Sequence, residues 1–229
     1  MTLSGKVYAV TGGASGIGLV TAKLISKHTG TPLFTVNQVD MSKKDRVESW
    51  IAGIKSQFSR LDGAANIAGI IGEDQGVQPL TELQDDEWFK ILNVNLTGMM
   101  YCLRSELNYI EDGGSIVNMA SIHATTGVAN HAAFTASKHG ILGLTRVAAK
   151  ENGHREVRVN AVAPGPIYTP LIQGYDDLTA RSADGVFDEP IAFRRQGTAD
   201  EVPKVVVFLL GSDISFVSGS CYSVDGAWM

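Results

Sequence analysis

The sequence predicts a three-layer α/β fold: a doubly wound, mostly parallel sheet of about six strands with helices on both faces. Three observations carry that expectation. Short β-rich runs alternate with amphipathic helical stretches along most of the chain. A glycine cluster separates the first such run from the first helix. The chain has 229 residues, 44% hydrophobic and 19% charged, which suits one continuous core over residues 1–229 and would be cramped for two.

The elements follow in order. Val7-Tyr8-Ala9-Val10 reads as a first buried strand that breaks at Thr11-Gly12-Gly13-Ala14-Ser15-Gly16-Ile17-Gly18. A helix then runs to about His28, with Gly30 as its stop. Leu33–Val39 reads as the next strand. Ser42 is placed to cap a helix with Asp45 in its first turn, and Val47, Trp50, Ile51, Ile54 and Phe58 keep helical spacing.

Gly63–Ala68 is a further short strand. A long helix is expected over 85–109, with Trp88, Ile91, Leu92, Met99 and Leu103 on one stripe. Strand Ser115–Met119, helix His131–Glu151 and strand Val157–Val162 come next. Thr198 and Glu201 form a capping-box pattern with Pro203 in the tolerated first turn; that helix ends at Gly211, and Cys221–Val224 is the last strand. There is no internal repeat and no linker. Pro164–Gln196 is the least regular stretch and reads as a lid-like loop over a site at the sheet edge.

Composition excludes several classes. A net charge of −5 argues against a nucleic-acid or anionic-membrane partner, which a basic face usually meets. No apolar run reaches the length of a membrane span, and Met1–Lys6 leads into a short apolar segment without a signal-peptide core. Cys102 and Cys221 lie far apart without metal-ligand spacing, so they read as two reduced, buried thiols and no metal site is expected. The expectation is a soluble, cytoplasmic protein.

Chemistry enters at the glycines. Gly12, Gly16 and Gly18 sit between a strand and a helix, where a tight turn lets backbone N–H groups and the helix N-terminus approach a pyrophosphate. Their Thr-Gly-x-x-x-Gly-x-Gly spacing resembles the phosphate loop of the short-chain dehydrogenase/reductase family, classical type. Four more segments resemble that family in the same order. Asn66-Ile67-Ala68-Gly69 is similar to its Asn-Asn-Ala-Gly signature, with Ile67 in place of the second asparagine. Asn93-Val94-Asn95 resembles the segment whose second asparagine supports the catalytic lysine through water. Ser115–Ser121 resembles the strand ending in the catalytic serine, and Pro164-Gly165-Pro166-Ile167-Tyr168-Thr169 the loop that holds the nicotinamide carboxamide.

The resemblance covers nearly the whole chain. It implies a Rossmann-like fold, NAD or NADP as cofactor, and oxidation or reduction at a secondary alcohol or ketone of a small molecule, in specialised metabolism. The implied catalytic residues are Ser121, Lys138 and Asn95. The implied cofactor-binding residues are Gly12, Ser15, Gly16, Ile17, Gly18, Asp40, Met41, Asn66, Ala68, Gly69, Lys138, Pro164, Gly165, Ile167 and Thr169. It also implies a homodimer or homotetramer through helices 85–109 and 131–151. Tyr168, Gln173 and Tyr175 lie in the loop that covers substrate in the family.

Two departures qualify this. The family pattern is Tyr-x-x-x-Lys, but the segment here reads Phe134-Thr135-Ala136-Ser137-Lys138, thirteen positions after Ser121. A phenyl ring keeps the shape of tyrosine but cannot transfer a proton, and general acid–base catalysis is typically worth about 10²–10⁴-fold. By proximity, Ser121, a water held by Lys138, His123 or His131 are the alternative donors, and the alternative role of Lys138 is that of a ribose-binding cation alone.

The second departure is that only one strand fits between the first helix and the Ser42 helix. Counted from the glycine loop, Asn37 falls at the ribose-reading position; counted back from the helix, Val39-Asp40-Met41 falls at the end of the following strand, beside the adenine. The second register matches better, so one β–α unit, with the residue that separates NAD from NADP, is missing. Three functions stay open: an NAD(P)-dependent oxidoreductase, a non-redox cyclase, isomerase or dehydratase on the same scaffold, or a catalytically silent binding subunit.

Overall fold

Strand β1, Tyr8–Thr11, pairs in parallel with β2, Gly63–Asn66, and starts a sheet that grows in one direction. β3 (Ser115–Met119), β4 (Arg158–Pro164) and, after a small second sheet, β7 (Cys221–Val224) are added in turn, all parallel, in the order β1-β2-β3-β4-β7. The computed structural model describes residues 3–30, 35–73, 76–173 and 190–228. β5 (Ile167–Tyr168) and β6 (Gly197–Thr198) form the second sheet.

Successive strand residues point to opposite faces, so each strand feeds two cores. Ala64, Ile116 and Ala161 face one side; there they meet Ile51 of α2 (Lys44–Phe58), Met99 and Leu103 of α4 (Gly98–Tyr109), and Ile141 and Leu142 of α5 (Ala132–Glu151). Ala65, Val117 and Val162 face the other. Their partners are Ile25 of α1 (Gly16–Thr29) and Val202, Val206 and Leu209 of α6 (Glu201–Leu210). The expected three-layer α/β fold is thus present, with five strands in its main sheet.

Among the described residues the expected strand between α1 and α2 does not form. Leu33 and Phe34 lie outside the described residues, and Thr35–Asp40 is not a strand. Val36 is 77% exposed, so the β-branched side chain that suggested a strand has no surface to pack on. Nearby, Ser42 does not cap α2: the Asp40 carboxylate accepts both its amide and its hydroxyl, at 2.9 and 2.7 Å. The helix starts at Lys44 instead, with Lys43 as its N-cap.

Other boundaries moved for similar reasons. β2 stops at Asn66 because the amides of Ile67 and Ala68 donate to the Thr11 hydroxyl, at 2.9 and 3.0 Å, and leave the ladder. The 85–109 helix is interrupted: α3 (Asp85–Leu92) passes through a π-helical stretch at Asn93–Thr97 before α4. At α6 the capping box is half made, with the Thr198 amide donating to Glu201 Oε2 at 2.7 Å and its hydroxyl turned to the same carboxylate. Pro164–Gln196 is more regular than expected at its start, where Ile167–Tyr168 pairs with Gly197–Thr198 just beyond its end. Positions 174–189 of that loop, Tyr175 included, lie outside the described residues.

Candidate active site

In a parallel sheet, ligands bind beyond the carboxyl ends of the strands. Here the ends of β1, β2, β3 and β4 open on one cavity of about 260 Å³. From the β1 end come Gly12, Ser15, Gly16, Ile17 and Gly18; from β2, Ala68 and Gly69; from β3, Ser121; from β4, Pro164, Gly165, Ile167 and Thr169. Lys138 reaches in from α5, beside Phe134.

The glycine loop has the shape of an anion cradle. Gly12 is left-handed (φ 70°), and a Cβ there would lie 3.0 Å from the Ala68 amide nitrogen. A Cβ on Gly18 would collide with the Gly12 carbonyl. Both positions therefore need glycine for the loop to close against β2. Ser15 N-caps α1 in an extended conformation without a side-chain cap bond, so the first turn presents its amide groups to the cavity. These residues fit a pyrophosphate.

At the other end, Ser121 follows β3 and caps a short 3₁₀ turn, Ile122–Ala124. Its hydroxyl oxygen accepts the His123 amide at 3.3 Å and lies 3.2 Å from His123 Nδ1. The His123 ring stacks on His131 (centroids 5.1 Å apart) and meets Phe134 edge-on at 5.2 Å. Burial, reinforced by the positive charges of His131, Lys138 and His139, pushes the His123 imidazole down to about 4. Lys138 is buried; its Nζ donates to the Met119 carbonyl at 3.0 Å and lies 5.3 Å from the Phe134 ring centroid. Burial pushes its ammonium down to about 8.

Four expected site residues do not line the cavity. Asn95, in the π-helical stretch, holds Ile70 by both backbone groups: Oδ1 accepts its amide at 2.8 Å and Nδ2 donates to its carbonyl at 2.9 Å. It thereby fixes the Gly69–Ile70 segment from behind. Asn66 donates to Glu106 Oε2 at 2.8 Å and Asn118 Oδ1 at 3.1 Å, and Asn118 donates to Thr145 at 2.9 Å. This buried polar chain ties β2 and β3 to α4 and α5. Asp40 is exposed and turned back on Ser42, and the Met41 backbone packs against Gly98.

The cavity also includes residues that motif reading passed over: Ile71, Leu171 and Ile172 give its outer part an apolar wall. Glu106, fully buried among the helices, was equally silent; burial pushes its carboxyl up to about 7 against the opposing Asn66 hydrogen bond. Cys102 is buried and Cys221 half-buried, both as free thiols. Among the described residues, no group of three or more His, Cys, Asp or Glu side chains is placed to hold a metal, and no helix is long and apolar enough to cross a membrane.

The chain is similar to known proteins over nearly its whole length. A family model described as enoyl-(acyl carrier protein) reductase matches residues 19–228. Short-chain dehydrogenase/reductase ABA4 of Pyricularia oryzae is 56% identical over 252 residues, covering 100% of this chain and 94% of the relative. Levodione reductase of Leifsonia aquatica is 32% identical over 251 residues, covering 96% and 93%. Among solved structures, ElxO with NADP bound superposes with a TM-score of 0.86 at 29% identity, covering 96% of this chain and 97% of the other. A Tyr-to-Phe variant of ElxO with NADPH bound superposes equally well, at a TM-score of 0.86. With its glycine cradle, its serine and its lysine in one cleft, the chain belongs to the short-chain dehydrogenase/reductase family.

Proposed function

We propose that the protein is an NAD(P)-dependent oxidoreductase that interconverts a secondary alcohol and a ketone on a small cyclic molecule without a tyrosine hydroxyl. One observation carries this reading: the Gly12–Gly18 cradle and the Ser121–Lys138 pair open into the same cavity. The names of relatives support the substrate class, among them levodione reductase and the cyclohexanol dehydrogenase of Acinetobacter sp., 35% identical. The apolar wall of Ile71, Phe134, Leu171 and Ile172 suits a ring with few polar groups.

A bound nicotinamide accepts or delivers the hydride at the carbinol carbon. The chain's own residues do the rest. The first turn of α1 and the Gly16–Gly18 amides would hold the pyrophosphate, Lys138 the nicotinamide ribose, and Pro164–Thr169 the carboxamide. Ser121 Oγ binds the substrate oxygen, and the apolar wall excludes water. On the adenosine side, Asp40 and Met41 stay outside the cavity, so the cradle and the nicotinamide end bear most of the nucleotide affinity.

Calorimetric titration with NADH and NADPH, run beside the absorbance change of reduced nicotinamide on cyclic ketones, tests the reading. Binding with turnover supports it; no binding of either nucleotide refutes it. A non-redox lyase or isomerase is the second reading, motivated by Phe134 alone, and product formed without added nucleotide would favour it. We also infer a homodimer or homotetramer through α3–α4 and α5, supported by the outward Phe89 and Val147, which are 57% and 52% exposed. Light scattering after size exclusion reads that state directly.

A further inference from the structure

The loss of the phenol at position 134 leaves a specific neighbourhood, and its occupant is an imidazole. Resting on the oxidoreductase reading above, we propose that Ser121 and His123 form the proton relay of this site, with His123 acting through the serine hydroxyl. Three observations carry the proposal.

First, the two side chains are held in register by the backbone. Ser121 caps the 3₁₀ turn and accepts the His123 amide, which leaves the serine's own hydrogen free to be donated. His123 Nδ1 stands 3.2 Å away, and in the tautomer protonated at Nε2 it is the acceptor. Second, His123 lines the cavity with Ser121, Phe134 and Lys138. Its Nε2 is buried without a hydrogen-bond partner, so no protein group competes for the ring from that side. Third, the ring plane is fixed from two directions, by the His131 stack and the Phe134 edge. Phe134 thus acts as a wall for the group that does what a hydroxyl on it would do.

The step balances in both directions. In oxidation, the O–H bond of the substrate alcohol breaks and its proton passes to Ser121 Oγ while the serine proton passes to His123 Nδ1, giving an imidazolium. The C–H electron pair leaves as hydride for the nicotinamide, which is the oxidant. Reduction reverses each transfer. His123 Nδ1 then returns its proton through Ser121 Oγ to water in the cavity once the ketone has left.

The groups facing His123 favour the neutral, accepting ring. They are His131 at the start of α5 and Lys138 and His139 on it, all cationic when protonated. On β4, which lies beside the 3₁₀ turn, Arg158 is the one charged residue, and it is bound to the Leu209 and Gly211 carbonyls at the other end of the strand. The ring therefore protonates only near pH 4, and oxidation should fall as pH drops toward that value.

The pair is tested first in the full chain without nucleotide or substrate, by imidazole ¹⁵N NMR. Ser121→Ala should shift the His123 Nδ1 resonance; an unmoved resonance overturns the proposal. Activity is then read with cyclohexanol and NAD or NADP. His123→Asn keeps a polar group in reach of Ser121 but cannot carry a proton. It should lower kcat/KM by about 10²-fold or more, leave nucleotide affinity unchanged by calorimetry, and abolish the acid limb of the pH profile. Adding Phe134→Tyr to His123→Asn should restore turnover. Wild-type rate and pH profile in His123→Asn overturn the relay, as does a wild type that is inactive until Phe134→Tyr is made. Failure of both nucleotides to bind brings down the oxidoreductase reading instead, and the NMR result then decides the pair by itself.

Discussion

The two ends of the nucleotide cleft are built to different standards. At the end proposed for the nicotinamide, Ser121 and Lys138 have named partners, and the walls are strand ends with both faces buried. At the adenosine end, the chain from Thr35 to Gln38 is exposed, Val36 stands 77% in solvent, and the Asp40 carboxylate is engaged by Ser42. The first end needs only strands that the core stabilises anyway. The second needs a further β–α unit beyond β1, and none is present among the described residues. An alignment 252 positions long that takes in all of this 229-residue chain agrees with such a loss. Nucleotide affinity should therefore respond strongly to changes in the cradle and weakly to changes near Asp40.

The largest effect is expected from Gly18→Ala. Its Cβ meets the Gly12 carbonyl, and relieving that clash opens the cradle. Destabilisation of about 3 kcal/mol is expected from overpacking, with nucleotide affinity reduced beyond calorimetric detection. Retained affinity would show that the cradle does not hold the phosphates.

Lys138→Met comes next and separates function from stability. The native ammonium is pushed down to about 8 by burial, from an ordinary 10.5, so below pH 8 the folded state carries the full cost of keeping it charged. Replacing it should stabilise the fold at pH 7 by about 2 kcal/mol. The gain should fade between pH 8 and 10.5, where the native group loses its proton, while turnover collapses. Denaturant midpoints across that range check the sign.

Glu106 gives a smaller effect with its own pH window. Burial raises its carboxyl from 4.5 to about 7, so the folded state prefers the protonated form. Wild-type stability should fall by about 1–2 kcal/mol as pH rises from 4.5 to 7. Glu106→Gln should remove that part of the slope, as urea titrations at the two ends of the window would show. The smallest effect is assigned to Asp40→Ala, which should change nucleotide affinity by less than about threefold and stability by less than about 0.5 kcal/mol.

Legibility in the sequence followed burial. Ser115–Met119 and Cys221–Val224 were read to the residue: each is a short run flanked by turn signals, and all of Ser115–Met119 is buried. Gly30 stops α1 in the left-handed conformation, as its position indicates. Of the expected strand Leu33–Val39, the described part, Thr35–Val39, misled because β-propensity is local while an edge strand needs a surface to pack on. Ser42 misled because its amide and hydroxyl both donate to Asp40, two residues back, in a local turn that leaves Lys43 as the N-cap of α2.

The site was legible where motifs are sequential and opaque where groups meet across elements. Gly12, Gly16 and Gly18 announce their turn through spacing. Glu106 lies forty positions from Asn66 and sits between ordinary helix residues, so neither its burial nor its partner has a local sign. Ser121 and His123 are close in sequence, but their hydrogen bond depends on the 3₁₀ turn that follows β3.

The central claim is that a site with phenylalanine at position 134 still carries out hydride chemistry. The most direct measurement follows reduced-nicotinamide absorbance with wild-type protein, NADH or NADPH, and cyclohexanone or levodione. Wild-type protein should turn over, and Ser121→Ala should abolish that turnover. Tight nucleotide binding with no hydride transfer, and activity only after Phe134→Tyr, would contradict it.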